Sequence, residues 1–144
     1  MTALQAFDLY TLSEPVVDRG GSPVRTAVLV FSDAIGTFGK PSSSSIKEWF
    51  GEGQQYDLAV SVMHNLVNAP LGGLDIFTYL DLDKYDTLYV VPKFARSPFY
   101  NVPFRIKTVQ RAVNPGSFEI SVCGLSRVSP DERVHVVDGF LEVI

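Results

Sequence analysis

The stretch YDLAVSVMHNL, residues 56–66, decides the fold class of this 144-residue chain. Its residues alternate between an apolar side and a more polar side, which is the period of a β-strand buried on one face. The apolar side carries Tyr56, Leu58, Val60, Val62, His64 and Leu66, and the other side carries Asp57, Ala59, Ser61, Met63 and Asn65. The stretch therefore predicts a half-buried strand.

Similar alternation recurs along the chain. The other runs are Val24–Phe31, Leu74–Leu80, Lys84–Val91, Val102–Gln110, Ser117–Leu125 and Arg133–Ile144. Asn114-Pro115-Gly116-Ser117 joins two of them and predicts the turn of a β-hairpin, while Asp138-Gly139 predicts a bulge or tight turn inside the last run. Short strands punctuated in this way predict an all-β fold, namely a small barrel or sandwich of six to seven antiparallel strands.

One segment has the signals of a helix instead. Ser45 is followed three residues later by Glu48, the spacing of a capping box, and Gly51 and Gly53 then supply stop signals. The sequence therefore predicts one short helix near residues 45–51.

The length and punctuation of the chain indicate one domain. A chain of 144 residues can bury a core without crosslinks, and it contains no linker long enough to separate two domains. We expect a single β-barrel domain over residues 1–144. It would have an N-terminal extension and an insertion at about residues 36–55 that holds a Ser-rich loop and the helix.

The composition is apolar for a protein in water, with 46% hydrophobic and only 19% charged residues, ten Phe and six Tyr. Interface centres lose charge and gain aromatic residues, so this composition suits a surface that partners cover. It also suits an all-β domain, which needs many β-branched and aromatic residues. The net charge of -4 argues against attraction of the whole surface to nucleic acid or anionic lipid.

Residues that could carry catalysis or bind a metal are few. His64 falls on the apolar side of its strand, which indicates a histidine of the core or its rim, and His135 has no metal-ligand spacing to it. Cys123 lies in an alternating run and is interpreted as a small packing residue. The run Asp81–Lys84 predicts a solvated turn, because it lacks the glycine and distal glutamate of a calcium loop. We expect no catalytic residue, no metal and no cofactor, and no enzyme activity.

The chain also carries sequence signals that bear on its cellular compartment. No segment approaches the ~20 apolar residues of a membrane span, and the start MTALQAFDLYTL lacks the pattern of a signal peptide. The single cysteine excludes an intrachain disulfide, which favours a reducing compartment. We therefore expect synthesis in the cytosol.

The loop Pro92–Asn101 is the first candidate for a partner contact. Loops lie at the surface, and this one combines aromatic residues with cations, the residue types that interface centres favour. Its candidate interface residues are Lys93, Phe94, Arg96, Phe99 and Tyr100, and the predicted helix adds Trp49 and Phe50.

A run of basic residues follows in this acidic chain. Every charged residue from Lys93 to Arg111 is basic, and alternation puts Arg105, Lys107 and Arg111 on one strand face. This basic face could complement an acidic partner surface or lie beside DNA. An ordinary solvated sheet face would show the same pattern.

The segments KYDTLYVV (residues 84–91), VPFRIKTVQR (102–111) and SFEISVCGL (117–125) read together as strand, aromatic loop, strand, hairpin and strand. This order resembles the small β-barrel head-completion proteins of tailed bacteriophages, the stopper or head-closure proteins of the neck. The resemblance implies a virion protein that forms a ring, commonly sixfold, between a portal or adaptor and the tail components, with DNA crossing its lumen. It implies assembly in the host cytoplasm and partners that include copies of itself, portal or adaptor, and tail-terminator or tail proteins.

Two other functions stay open at this point. One is another ring-forming tail or baseplate component, because such rings use similar β-domains. The other is a barrel of the OB type that binds single-stranded nucleic acid, in which aromatic side chains stack on bases and Arg and Lys contact phosphates.

Overall fold

The computed structural model describes residues 4–17, 20–21, 23–39, 56–65, 80–114 and 118–143, and its fold is all-β, as predicted. The strands are β1 (Leu4–Leu12), β2 (Val16–Val17), β3 (Pro23–Val24), β4 (Ala27–Gly39), β5 (Leu58–Asn65), β6 (Leu88–Pro92), β7 (Phe104–Asn114), β8 (Phe118–Arg127), β9 (Val134–Val137) and β10 (Phe140–Val143). Within the described ranges, one 3-10 turn, Pro130–Glu132, accompanies them.

Six strands close into an antiparallel barrel in the order β1-β4-β5-β8-β7-β6. The alternating stretch of residues 56–66 contains β5, which pairs with β8 without a register break from Leu58↔Leu125 to Asn65↔Phe118. β7 pairs with β8 down to Asn114↔Phe118, which is the strand pairing of the predicted hairpin, and residues 115–117 of its turn lie outside the described residues. The pairing of β1 with β6 closes the barrel.

The barrel interior is the main hydrophobic core. Its fully buried members include Phe7, Val60, Leu88, Phe104 and Cys123, so the interpretation of Cys123 as a packing residue is confirmed. Burying each large apolar side chain contributes roughly 1.5–3 kcal/mol, and these residues come from five of the six barrel strands. The core therefore ties strands that are distant in sequence.

A second, smaller core lies outside the barrel wall. The hairpin of β9 and β10 packs Val134 and Leu141 onto Tyr10, Tyr89 and Val91, which project outward from β1 and β6. The two turn residues between β9 and β10 both have positive φ, 51° and 85°, which is the geometry of a tight hairpin turn. The turn predicted at Asp138-Gly139 is thus confirmed.

The N-terminal region departs from the expected extension, because residues 4–12 form a strand of the barrel wall. Residues 7–11 are buried on both faces of β1, inward by the main core and outward by the second core. Because Leu9 and the adjacent Tyr10 are both buried apolar residues, the alternation of β1 breaks between them, and the strand was not predicted. Likewise β4 extends to Gly39, into the region expected to be an insertion.

Several predicted elements lie outside the described residues. These are the helix near residues 45–51 and the strand Leu74–Leu80 except for Leu80 itself.

Candidate docking surfaces

The loop between β6 and β7, residues 93–101, is held in one conformation by its own hydrogen bonds. The amide of Ser97 donates to the carbonyl of Phe94 at 2.9 Å, the amide of Tyr100 donates to the carbonyl of Ser97 at 3.2 Å, and the amide of Asn101 donates to the carbonyl of Pro92 at 3.0 Å. The Ser97 hydroxyl is buried and accepts the amide of Phe99 at 3.1 Å. The loop is therefore a compact structure with fixed side-chain directions.

The candidate interface residues of this loop divide into two groups. Phe94, Arg96 and Tyr100 are exposed to solvent. Phe99 turns inward, where its ring meets the ring of Phe104 edge to face at 5.7 Å between centroids and packs against the main core. Phe99 thus differs from the expectation of an outward contact residue, because the apolar interior of the barrel offers its ring a place to pack.

Lys93 joins the loop to the turn between β9 and β10. Its ammonium group donates to Asn101 Oδ1 at 2.9 Å and to the carbonyl of Gly139 at 2.8 Å, and it lies 5.8 Å from the centroid of the Tyr100 ring. Because these contacts occupy it, Lys93 positions the loop. Phe140 follows Gly139 and is 62% exposed, so the same link brings a third exposed aromatic residue to this end of the barrel. We name Phe94, Tyr100 and Phe140 the loop patch.

A second exposed apolar surface lies where β1 and β4 leave the barrel. The chain continues as a two-stranded ribbon in which Val16 pairs with Val24, and we name residues 13–17 and 23–26 the hairpin arm. Val16 and Val17 are each 66% exposed, and Val24 is also exposed. An isolated two-stranded ribbon is marginally stable in water, so its apolar side chains would gain from a cover.

Arg25 clamps the base of the hairpin arm. Its Nε donates to the carbonyl of Ser13 at 2.7 Å, and its Nη2 donates to the carbonyl of Leu12 at 3.4 Å and to Asp86 Oδ1 at 3.1 Å. This ion pair holds the pKa of Asp86 below its usual value, mainly through the hydrogen bond from the guanidinium. The clamp therefore fixes the direction in which the arm leaves the barrel.

The predicted basic face is divided in the structure. Lys107 is the extra residue of a bulge, since Ile106 pairs with Leu125 while Thr108 pairs with the next residue, Gly124. Beyond the bulge, the register places positions 105 and 111 on opposite faces of β7, so the alternation that grouped Arg105, Lys107 and Arg111 fails. The side chain of Arg111 lies outside the described residues.

Carboxylates accompany the two described cations of this face. Arg105 Nη1 lies 3.7 Å from Glu132 Oε1, and Glu132 Oε2 accepts a hydrogen bond from the Tyr89 hydroxyl at 3.2 Å. Burial, followed by the charge of Glu132, raises the pKa of Tyr89 to about 12. Lys107 shares an open groove of about 470 Å³ with Asp81 and Asp83. The positive charge is thus partly balanced within the chain.

The residues considered for chemistry do not converge on a site. His135 is exposed on β9, with its Nε2 4.0 Å from Glu142 Oε2 of β10, and the backbone of His64 pairs with Glu119. The side chain of His64, like Trp49 and Phe50, lies outside the described residues. In the described part of the chain, no group of three or more His, Cys, Asp and Glu residues could hold a metal ion. The absence of a catalytic residue, metal and cofactor stays a prediction.

Neither the residues of the hairpin arm nor Phe140 were among the candidates predicted from sequence. The arm did carry a signal, because Val16-Val17 and Pro23-Val24 flank Gly20-Gly21, a pair typical of turns. Phe140 carried none, since only the folded chain brings the turn of β9 and β10 to Lys93.

Among the residues that the structure describes, no helix has the length and apolar character needed to cross a membrane. Comparison of the chain with protein-family models, with curated proteins and with solved structures found no match.

Proposed function

We propose that this chain is a structural subunit that docks onto other protein surfaces, as a ring component in the neck of a tailed bacteriophage. One observation carries the docking proposal: large apolar side chains are exposed on the hairpin arm and on the loop patch, and further ones are exposed on β4 (Val28, Leu29 and Ile35) and at Val143 of β10. Interface centres are rich in such residues and poor in charge. The neck assignment is narrower and draws on the resemblance of residues 84–125 to stopper proteins, with which a small closed barrel agrees.

The rigidity of both surfaces supports docking. Binding costs free energy when loops and side chains become ordered, and a surface that is already ordered avoids part of that cost. The loop carries its own hydrogen bonds and the Lys93 anchor, and the arm carries the Arg25 clamp. The partners that we propose are copies of the chain in a ring, commonly sixfold, with portal or adaptor on one side and tail proteins on the other. The chain would assemble in the host cytoplasm and end in the virion.

The predicted basic face gives little support to the alternative of a barrel that binds single-stranded nucleic acid. Such binding needs cations that can contact phosphates, but Arg105 lies beside Glu132, and Lys107 shares its groove with Asp81 and Asp83. Another ring component of the tail or baseplate would use the same docking surfaces, so its distinction from a neck protein depends on which partner binds.

The test is the mass of the purified protein, alone and after mixing with candidate portal, adaptor and tail proteins, measured by light scattering and native mass spectrometry. We expect a ring of the chain alone or a stable complex with one of these proteins. A strict monomer that joins none of them would overturn the proposal. Binding to oligonucleotides that weakens steeply with salt would favour the nucleic-acid alternative instead.

A further inference from the structure

The hairpin arm and the loop patch lie at opposite ends of the same strand. The hairpin arm follows Leu12 at the end of β1, whereas the loop begins beside Ala6, whose carbonyl accepts the amide of Lys93 at 2.8 Å. At about 3.3 Å per residue, these two positions of β1 are about 20 Å apart. The barrel therefore presents one apolar surface at each end of β1.

The two surfaces also differ in shape and composition. The arm is a two-stranded ribbon that carries exposed valines, and the loop patch consists of exposed aromatic residues of the loop and of the β9–β10 turn that Lys93 joins to it. A twofold contact between like surfaces would use one of the two and leave the other uncovered, whereas a reciprocal twofold contact would place each arm on the other copy's loop patch. A contact between unlike surfaces uses both, and it repeats from copy to copy to make a ring or a filament.

Charge complements this arrangement. Arg96 in the loop and Glu14 at the base of the arm are both exposed, and neither has a charged partner among the described residues. When an arm approaches the loop of another copy, the two residues supply charges of opposite sign at the rim of an apolar contact. Such rim charges fix the register of an interface more than they add affinity.

We propose that the hairpin arm of one copy docks on the loop patch of the next copy, with Glu14 facing Arg96. This assignment rests on the proposed function of assembly by docking and specifies the contact that links neighbouring copies. The valines of the arm cover Phe94, Tyr100 and Phe140, and each copy uses both surfaces.

The test uses two variants that each lose one surface. V16D/V17D adds two carboxylates to the arm, F94D/F140D adds two to the loop patch, and Q110D, which adds one carboxylate at an exposed position of β7, is the control. We expect wild type and Q110D to form the same oligomer and each double variant alone to be a monomer. Mixed in equal amounts, the two double variants give a dimer and nothing larger, because one intact arm meets one intact loop patch.

Other outcomes overturn the proposal. A mixture that stays monomeric, or an arm variant that assembles like wild type, rejects the contact between arm and loop patch. A wild-type protein that is monomeric alone rejects it too. If that monomer still joins a portal or tail protein, the proposed function stands, and if it joins none, both fail.

A charge exchange keeps the test informative if the aspartate variants fold poorly. E14R and R96E each place like charges at the contact, and the chain with both changes has opposite charges there again. An exposed pair is worth about 0.2–1 kcal/mol, so each reversal should weaken assembly by about 1.4- to 5-fold and the double change should restore it. Additive weakening in the double variant would reject the pairing of Glu14 with Arg96.

Discussion

Phe94 and Phe99 are only five positions apart in one loop, yet replacement of each by alanine should have different consequences. Phe99 packs on Phe104 and the main core, whereas Phe94 is 39% exposed and belongs to the loop patch. F99A should therefore lower the free energy of unfolding, and F94A should weaken assembly while the subunit stays folded.

The expected size follows from burial. Truncation of a fully buried Phe to Ala lowers the free energy of unfolding by about 3–5 kcal/mol. Loss of an edge-to-face ring contact accounts for about 0.5–1.5 kcal/mol of that amount. Because Phe99 is only partly buried, we expect F99A to cost about 2 kcal/mol. For a chain of this size, that loss lowers the midpoint of thermal unfolding by about 6 °C. F94A should stay within about 0.5 kcal/mol of wild type.

The assay is thermal unfolding followed by circular dichroism, combined with light scattering to measure assembly. Unfolding must be recorded at a protein concentration at which wild type is dissociated, since association with other copies stabilises the folded state. F99L is a useful control, because it keeps apolar volume but loses the ring contact, so its midpoint should fall between those of F99A and wild type. Equal midpoints for F94A and F99A would refute the assignment of Phe99 to the core.

Three further predictions concern single positions. G124A should lower the free energy of unfolding by about 1–3 kcal/mol, because a Cβ at this position would lie 2.7 Å from Cε1 of the Tyr56 ring; an unchanged denaturation midpoint would contradict this packing. The pKa of Tyr89 is raised to about 12, chiefly by burial, so the stability that its neutral hydroxyl contributes is complete below about pH 10 and is lost as the pH rises to about 12. Over this range the free energy of unfolding of wild type should fall more steeply than that of Y89F. Parallel curves for the two proteins would contradict the burial of the Tyr89 hydroxyl. R25A should speed amide exchange in the hairpin arm while the global free energy of unfolding changes by less than about 1 kcal/mol. D86N keeps the hydrogen bonds from Arg25 to the backbone carbonyls, so it should speed exchange less. Equal exchange rates in the two variants would contradict the role of Arg25 in holding the base of the arm.

Among the strands that could be predicted from sequence, β5 has the clearest alternation. Leu58, Val60 and Val62 of β5 point into the barrel, so their alternation with more polar residues reports the fold directly. The tight turn at Asp138-Gly139 was also predictable from sequence, because a two-residue turn with positive φ at both positions favours this residue pair.

Elements that depend on contacts distant in sequence could not be predicted in this way. In β1 the outward-facing Tyr10 is covered by Leu141 of β10, a strand that is distant in sequence. Nothing in the sequence around Tyr10 indicates that its outward face is buried. The bulge at Lys107 is similar, since neither glycine nor proline marks it, and it moves every later residue of β7 to the other face. The grouping of Arg105 with Arg111 failed for this reason.

The candidate site was predictable in its composition but not in its boundaries. Phe94, Arg96 and Tyr100 are exposed, as expected of a contact loop, because a short loop with two cations cannot bury all of its side chains. Which aromatic residue turns inward depended on the space beside Phe104, and the contribution of Phe140 depended on the bond from Lys93 to Gly139.

The burial of β1 on both faces gives the two docking surfaces a fixed relation to each other. A ring closes only if the rotation from one copy to the next repeats accurately, so the two contact surfaces of a subunit must be held at a constant angle. β1 runs between the arm and the loop, with Phe7 and Leu9 in the main core and Tyr10 in the second core. Because packed interiors resist deformation, a strand fixed from both sides is a stiff connection. The same covering that interrupts the alternation of β1 would therefore suit this barrel to the ring that we propose.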